Sequence, residues 1–271
     1  YAADVYQGAA APVAAIIAFL PKLAGLVAMI ALLDLTGWKL SGPLFWILWT
    51  LAAATMTVGN TLALWQTNVK RILAYSSIAH SGYMLMALVV GPAAGVPMRD
   101  GLTAVLFYIT VYGVMNLGAF AVLAVVRVDN RDAQTLDDIA GLARHDAPAA
   151  LVLTICILGL MGMPPTAGFV GKTFLVCPLL ATGQTPLIAL ALIALANAAI
   201  AAAYYLRIIA AACVAGPGRP RFILPDLSLR IAVILCGLIV LALGVRPDSL
   251  LHAVTQADTD RAILTTYNNP K

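Results

Sequence analysis

The sequence predicts an all-α, polytopic transmembrane protein, a bundle of about seven membrane-spanning helices. Hydrophobic residues make up 62% of the 271 positions, charged residues only 10%, and the mean hydropathy is +0.95, a composition typical of membrane proteins. The apolar residues lie in long runs that short polar loops separate. One of these runs contains a Pro-Pro pair, which predicts a span built from two half-helices.

The first span carries a candidate functional lysine. A polar opening segment rich in Gly and Ala leads to Pro12, which suits the first turn of a helix that continues to about residue 33. Lys22 lies near the middle of this helix, directly after Pro21. A central lysine costs about 2.5–3.5 kcal/mol on the membrane-insertion scale, so we expect Lys22 to face protein or water.

The third span carries a polar face. We expect the second, third and fourth spans at about 43–65, 72–90 and 102–126, with residues 66–71 as a loop. Ser76, His80 and Tyr83 are four and three residues apart and therefore share one helix face. An imidazole titrates near neutral pH, so His80 suits a proton relay, but an intramembrane His also serves as a structural hydrogen-bonding group. Both interpretations stay open.

The fourth span and the loop after it are also polar in places. Tyr108, Tyr112 and Asn116 follow one another at intervals of four residues, a pattern that favours hydrogen bonding between helices. The longest polar loop covers 127–146 and contains TLDDIAGLAR, which predicts a short surface helix capped by Thr135. Two further spans are expected after the broken one, at about 186–212 and 231–245.

The broken span is expected at residues 162–172, GMPPTAGFVGK. Pro164 and Pro165 have no N–H group, so a helix that continued through them would lose hydrogen bonds to carbonyls such as that of Met161. In hydrocarbon, broken helices persist where protein covers the freed backbone or where it lines a wet cavity, and ionisable side chains are tolerated at the same places. Lys172 ends this stretch. A functional lysine near the midplane is favoured over a hinge with a snorkelling lysine.

Charge and cysteine usage exclude other classes of protein. The net charge of +4 is spread through the loops rather than gathered in a basic patch, so no nucleic acid partner is indicated. The four cysteines lie within apolar runs without ligand-like spacing, which argues against disulfides and against a metal cluster. We therefore expect no metal site and no cofactor site in this chain. The buried lysines and His80 form a polar track suited to moving protons without covalent chemistry.

The loop charges predict the orientation in the membrane. One side collects seven basic residues, namely Lys70, Arg71, Arg127, Arg131, Arg144, Arg219 and Arg221. The other side has three, namely Lys39, Arg99 and Arg246. By the positive-inside rule the chain should start at the cytoplasmic face, and its tail should lie on the opposite face.

Three segments carry a family resemblance. They are DVYQGAAAPVAAIIAFLPKLA, GNTLALWQTNVKRILAYSSIAHSGYML and LGLMGMPPTAGFVGKTFLV. They resemble consecutive signatures of the antiporter-like membrane subunits of respiratory complex I, in particular the N-type subunit of bacterial NADH-quinone oxidoreductase. The resemblance runs from about residue 1 to about residue 207. In that family, fourteen helices include two inverted five-helix repeats, each with a broken helix that bears an ionisable residue.

The resemblance implies a division of the chain into three parts. Residues 1–42 would hold the opening segment and the first transmembrane helix. Residues 43–212 would form the antiporter-like five-helix repeat, with its broken helix at 162–172. Residues 213–271 would hold a loop, the last transmembrane helix and a polar tail. The whole would correspond to helices eight to fourteen of the family, its C-terminal half.

The resemblance also implies roles for single residues. Lys22 matches the family's helix-eight lysine and Lys172 the lysine at the second broken helix, so both are expected to transfer protons. Lys70 and His80 match the family's lysine-arginine and serine-histidine run and are candidate relays, although Lys70 could instead fix the open end of a helix. Ala3 departs from the family, which usually has proline there. The family's helix-five glutamate and helix-seven lysine have no counterparts.

The resemblance implies a proton-translocating membrane subunit of complex I, located in the cell inner membrane, that couples quinone reduction elsewhere to proton transfer. NADH, FMN, the iron–sulfur clusters and quinone would belong to partner subunits. Expected partners are other membrane subunits, the lipid bilayer, and an upstream half of the same subunit or a separate chain that supplies it. We expect helices from that half to cover Lys22. The alternatives are a subunit of a monovalent cation/proton antiporter and an inert membrane spacer.

Overall fold

Helices form most of the structure. The computed structural model describes residues 1–40, 42–93, 99–128, 131–214, 216, 222–223 and 227–256. The helices among these residues are α1 Ala2–Gly8, α2 Ala11–Leu35, α3 Gly42–Leu64, α4 Val69–Leu88, α5 Gly101–Val125, α6 Leu136–Ile139, α7 Leu142–His145, α8 Ala147–Met161, α9 Ala167–Ala181, α10 Thr185–Cys213 and α11 Leu227–Val245. Arg219, Arg221 and the tail from residue 257 lie outside the described residues.

Five of these helices, α2, α3, α5, α10 and α11, are long and apolar enough to cross a membrane. The remaining two predicted spans correspond to α4 and to the pair α8 and α9, whose members have 15 residues each. The predicted class, an all-α polytopic membrane protein with one span broken at Pro-Pro, is therefore confirmed. It is a multi-pass membrane protein.

Three local features differ from the prediction. The opening segment forms the helix α1. The loop predicted at 66–71 ends early, because the Asn68 side chain accepts a hydrogen bond from the backbone N–H of Arg71 at 3.1 Å and caps α4. Lys70 consequently lies inside α4. A small antiparallel sheet in the order β2-β1-β3 also forms from β1 Val126–Val128, β2 Arg131–Asp132 and β3 Phe222–Ile223.

The surface helix expected after Thr135 is present as two short pieces, α6 and α7. The Thr135 hydroxyl accepts from the Asp138 backbone N–H and so caps α6, and the Asp138 carboxylate accepts from the Thr135 backbone N–H, which completes a capping box. Gly141 separates α6 from α7 with a left-handed backbone. The predicted cap is thus confirmed, and the helix is interrupted one turn after it.

The helix α5 forms the centre of the bundle. It packs against α2, α4, α8, α9 and α11, and most of its residues are buried. A separate polar contact joins α10 to α3, where the Asn60 amide donates to Asn197 at 3.2 Å and accepts from Tyr204 at 2.9 Å. Such bonds hold helices together in lipid, where no hydrophobic force between helices acts.

The broken span is interrupted over residues 162–166, a shorter stretch than the predicted 162–172. The helix α8 ends at Gly162, whose φ of +87° is left-handed, and the Pro164–Pro165 peptide bond is cis. The helix α11 crosses this break in direct contact, since a Cβ atom at Gly244 would collide with the carbonyl oxygen of Pro165. Only a glycine permits so close a crossing.

Candidate functional site

The amine of Lys22 points into the bundle. Its Nζ donates to the carbonyl oxygen of Ser77 at 2.7 Å and to the Ser77 hydroxyl at 2.8 Å. The same Nζ lies 4.0 Å from the ring centroid of Tyr112, a cation–π distance. These contacts come from this chain itself, from α4 and α5, and coverage of the rest of Lys22 by an upstream half stays a prediction.

Lys172 lies in the second turn of α9, and its amine reaches back to the end of α8. Its Nζ donates to the carbonyl oxygen of Met161 at 2.8 Å. In an unbroken helix that carbonyl would accept from residue 165, but Pro165 has no N–H to give. The lysine therefore supplies the donor that the break removes. Gly162 makes room for it, because a Cβ atom there would lie 2.7 Å from the Lys172 Cδ.

His80 is buried between tyrosine hydroxyls on both of its ring nitrogens. Nδ1 lies 2.7 Å from the Tyr108 hydroxyl, and Nε2 lies 3.0 Å from the Tyr205 hydroxyl. Tyr205 also contacts the Ser76 hydroxyl at 2.5 Å. A histidine held at both nitrogens can accept a proton at one and release it at the other by changing tautomer.

Two tyrosine rings connect His80 to the two lysines. On one side the ring centroids of His80 and Tyr112 are 5.1 Å apart, and Tyr112 lies under the Lys22 amine. On the other side His80 and Tyr83 are 5.9 Å apart, and the Lys172 Nζ is 5.2 Å from the Tyr83 ring. The bundle thus brings three of the four predicted residues into one series, in which His80 is buried and the two lysines are half-buried. Because a proton moves over hydrogen bonds of about 3 Å, this series needs water or side-chain motion between its members.

Lys70 lies apart from this series, beside the link between α1 and α2. Its Nζ donates to the carbonyl oxygen of Ala9 at 2.8 Å and lies 3.9 Å from Asp132. Asp132 in turn accepts from the backbone N–H of Ala11 at 2.6 Å and pairs with Arg127 at 3.1 Å. Lys70 and Asp132 therefore hold both sides of the short link between α1 and α2. We name this arrangement of Lys70, Asp132, Ala9 and Ala11 the link clamp.

Sequence reasoning missed several members of the site. Ser77, the partner of Lys22, adjoins the predicted Ser76 but faces another helix. Tyr6 of α1 lies 3.4 Å from the Ser77 hydroxyl. Tyr205 adjoins Tyr204 in an alanine-rich span. The only sequence signal for its role is this pair of neighbouring tyrosines. The predicted hydrogen bonding of the fourth span is present for Tyr108, since it bonds to His80.

Within the ranges that the structure describes, no three His, Cys, Asp or Glu side chains are grouped as a metal ion would require. The four cysteines are free thiols.

The comparison with known families decides what kind of bundle this is. The sequence model of the family described as "NADH:quinone oxidoreductase/Mrp antiporter, TM" matches residues 1–198. The chain belongs to this family. That match includes Lys22, Lys70, His80 and Lys172, the four predicted site residues, and it ends before Tyr205.

Members of the family with high similarity are curated as complex I subunits. NADH-quinone oxidoreductase subunit N 1 of Solibacter usitatus is 39% identical over 95% of this chain and 51% of its own length. Subunit N of Trichlorobacter lovleyi is 43% identical over 76% of this chain and 40% of its own length. The chain thus spans about half the length of the curated relatives that it matches.

A solved structure shares the fold. A chain of respiratory complex I from Thermus thermophilus, solved with bound aureothin, superposes with a TM-score of 0.78 at 33% identity. The superposition covers 93% of this chain and 53% of the other. The expected resemblance to antiporter-like complex I subunits is therefore confirmed.

Proposed function

We propose that this chain translocates protons as part of the membrane arm of an NADH-quinone oxidoreductase. The observation that carries the proposal is the series of Lys22, His80 and Lys172, in which two half-buried lysines flank one buried imidazole inside a membrane bundle. Buried ionisable groups in transmembrane segments are typical of proton paths. An amine can take up and release a proton as its hydration and neighbouring charges change.

Each residue has a distinct proposed role. Lys22 and Lys172 hold and release the transported proton, and His80 passes it between the tyrosine hydroxyls on its two sides. Lys70 fits the alternative role of fixing a helix end, because its Nζ donates a hydrogen bond to the carbonyl oxygen of Ala9, the residue that follows α1. Residues 43–212 would form the five-helix repeat around this path, with 1–42 and 213–271 flanking it.

The names of the relatives support a set of partners. We propose that other membrane subunits of complex I surround this chain in the bacterial inner membrane, with an upstream half of the subunit or a separate chain among them. NADH, FMN, the iron–sulfur clusters and quinone would be bound by partner subunits. The alternative of a cation/proton antiporter subunit draws support from the family description, which includes the Mrp antiporter. The alternative of an inert spacer does not explain two inward-pointing lysines, because a lysine within a transmembrane segment is costly.

The decisive experiment compares Lys172→Met with Lys172→Arg in the assembled complex. Methionine removes the titratable amine, so proton uptake should fall about tenfold or more while the complex still assembles. Arginine keeps a donor for the Met161 carbonyl but stays charged at every accessible pH, so it should also stop pumping. The measurements are proton uptake in proteoliposomes and the quinone reductase rate of both variants.

The two variants also separate pumping from helix capping. If Lys172 merely replaces the missing donor at Met161, arginine should restore normal pumping and methionine should chiefly reduce assembly, by the loss of a bond worth about 1–3 kcal/mol. Normal proton uptake by the arginine variant would remove Lys172 from the path. Sodium-dependent proton exchange without quinone reductase activity would favour the antiporter alternative.

A further inference from the structure

A groove lies beside Lys172 on the outer side of the bundle, between α9 and α10. Its volume is about 390 Å³, and its lining residues are Tyr83, Met161, Gly162, Phe169, Lys172, Thr173, Val176, Cys177, Leu180, Ala194, Leu195 and Ala198. Leu180 and Leu195 at its rim are 46% and 52% exposed, so the groove opens where the bundle meets its surroundings. This volume is at the lower end of the range for small-molecule sites and suits one ligand chain rather than two.

The chemistry of the wall indicates what kind of ligand fits. Of the described residues that line the groove, Lys172 alone is basic and none is acidic. Most of the others are aliphatic or aromatic. A ligand that matches both features has a long apolar body and one negative end. We propose that the groove binds a single-chain fatty acid, with its carboxylate on the Lys172 amine and its chain against Val176, Leu180 and Leu195.

The depth of the amine favours a fatty acid over a phospholipid. Lys172 lies nine residues before Ala181, the last residue of α9, or about 13 Å along the helix axis. The hydrocarbon layer is about 30 Å thick, so Lys172 lies near its middle, and a phospholipid headgroup at the surface is too distant to reach it. A fatty acid can enter the apolar layer as the neutral acid, because protonation removes its charge.

The bound state would be an ion pair. The carboxyl O–H of the neutral acid transfers its proton to the neutral Lys172 amine, which leaves an ammonium group beside a carboxylate and creates no net charge. A charged pair of this kind is tolerated in the membrane interior, whereas either ion alone is costly. The Met161 carbonyl and the Tyr83 ring already contact this amine at 2.8 Å and 5.2 Å, and both remain favourable partners for an ammonium group.

This occupancy would regulate the pump. A fatty acid paired with Lys172 would hold its proton in place, so the amine could no longer release it. The inhibition part of the inference rests on the proposed function, whereas the binding part depends only on the groove. A binding measurement and a pumping measurement therefore test the two separately.

Photolabelling of the assembled complex in lipid nanodiscs tests binding. The probe is palmitic acid with a diazirine on its chain, followed by mass spectrometry of the peptides. Labelling should fall on α9 and α10 near the groove. Free palmitate should compete about tenfold or more better than its methyl ester, because the ester cannot make the charged hydrogen bond to Lys172. Equal competition by the ester, or by a phosphatidic acid, would contradict a carboxylate site.

Substitutions in the chain supply the matched controls. Ala198→Phe fills the groove and should lower labelling at least about tenfold, whereas Ala199→Phe places the same ring on the next, exposed position of α10 and should leave labelling unchanged. Lys172→Met should lose labelling and Lys172→Arg should keep it. Equal labelling of the Ala198→Phe and Ala199→Phe variants would overturn the proposal.

Pumping then tests the regulatory part. Palmitate should inhibit proton uptake by wild-type complex, and each variant is compared with its own uptake in the absence of palmitate. Ala198→Phe should need about tenfold more palmitate for the same fractional inhibition, and Ala199→Phe should behave as wild type. Labelling at the groove together with equal palmitate sensitivity of both variants would refute regulation while leaving binding intact. If Lys172→Met still pumps, the proposed function fails even where the labelling result stands.

Discussion

At the scale of single residues, two glycines that both have a positive φ differ in what lies beside them. Gly162 has φ of +87° and contacts Lys172, whereas Gly183 has φ of +67°, and a methyl group added there would meet no atom within 4 Å. An alanine at either position is strained by about 1–2 kcal/mol in the left-handed region. Only the alanine at 162 also collides with the aliphatic part of Lys172, and this collision adds about 1–3 kcal/mol to the destabilisation of the folded state.

Gly162→Ala should therefore displace the Lys172 amine from Met161 and lower proton uptake per quinone reduced. Gly183→Ala serves as the control, because it introduces the same backbone strain without touching the lysine. Both variants are compared by proton uptake in proteoliposomes and by the amount of complex assembled in membranes. Equal pumping by the two variants would show that the position of the lysine stem does not matter.

The residue scale also shows what the sequence could predict about the site. Lys22 and Lys172 stand out because a lysine within an apolar run is costly and needs a reason, and His80 stands out on a polar face. Ser77 could not be predicted as the partner of Lys22, because that contact joins residues 55 positions apart and depends on how α2 packs on α4. Tyr205 was missed for the same reason, since periodicity within α10 does not reveal which helix it meets.

At the scale of helices, the link clamp positions α1 and the start of α2. Lys70 and Asp132 are 1% and 6% exposed, so removal of Asp132 leaves the Lys70 ammonium buried beside the neutral Ala9 carbonyl, at a cost of about 3–5 kcal/mol. Asp132→Ala should therefore reduce assembly and, by releasing α2, disturb the contact of Lys22 with Ser77. Proton uptake and the level of assembled complex are the measurements, and the exposed Asp137→Ala is the control.

Lys70→Arg distinguishes a clamp from a relay. Arginine can donate to the Ala9 carbonyl and pair with Asp132, yet it cannot release its proton. A clamp predicts nearly normal pumping by this variant, and a relay predicts its loss. The double variant Lys70→Met with Asp132→Ala should be less harmful than the sum of the single changes, because it leaves neither charge unpaired.

Asp138 makes the loop between α5 and α8 sensitive to acid. Burial alone would raise the pKa of Asp138, but the backbone N–H of Thr135, the Arg131 guanidinium and the backbone N–H of Gln134 outweigh it and lower the pKa below its ordinary value. A carboxyl with a depressed pKa in the folded state stabilises the loop above its unfolded pKa of about 4. That stability is lost as the pH falls through the folded pKa.

Hydrogen exchange of the peptide 131–145 in wild type and in Asp138→Asn checks this expectation. At neutral pH the wild-type loop should exchange more slowly, because the charged hydrogen bonds of Asp138 contribute about 1.5–3 kcal/mol each. The two proteins should converge as the pH falls below about 4. A difference that persists unchanged at acid pH would mean that the carboxylate charge is not what holds the loop.

The long helices were predictable because each contains enough apolar residues to cross a bilayer, and the break was predictable because proline lacks an N–H. The small sheet was not, since β1 pairs with β3 from a segment about 95 residues later, Val126 with Ile223. The early start of α4 depends on one side-chain bond, from Asn68. Local composition carries no signal for either contact.

At the scale of the whole molecule, the loop charges predict the direction in which the bundle is inserted. Single cysteines at Asp137 and at Asp248, in a variant that lacks the four native cysteines, should react with a membrane-impermeant maleimide from opposite sides. Asp137 should react from the cytoplasmic side. Both positions are exposed, so a failure to react cannot come from burial in the bundle. Labelling of both from one side would contradict an odd number of spans.

The crossing of α11 over the break has a consequence for truncated chains. Although α11 contributes no member of the proposed path, Gly244 lies directly against the backbone of Pro165 and Thr166. A nonsense allele that stops the chain before residue 227 would keep Lys22, Lys70, His80 and Lys172, yet it would leave that irregular backbone facing lipid, where each unsatisfied group costs several kcal/mol. Such an allele should be a null allele for pumping, and the last helix is therefore as necessary as any residue that touches the proton.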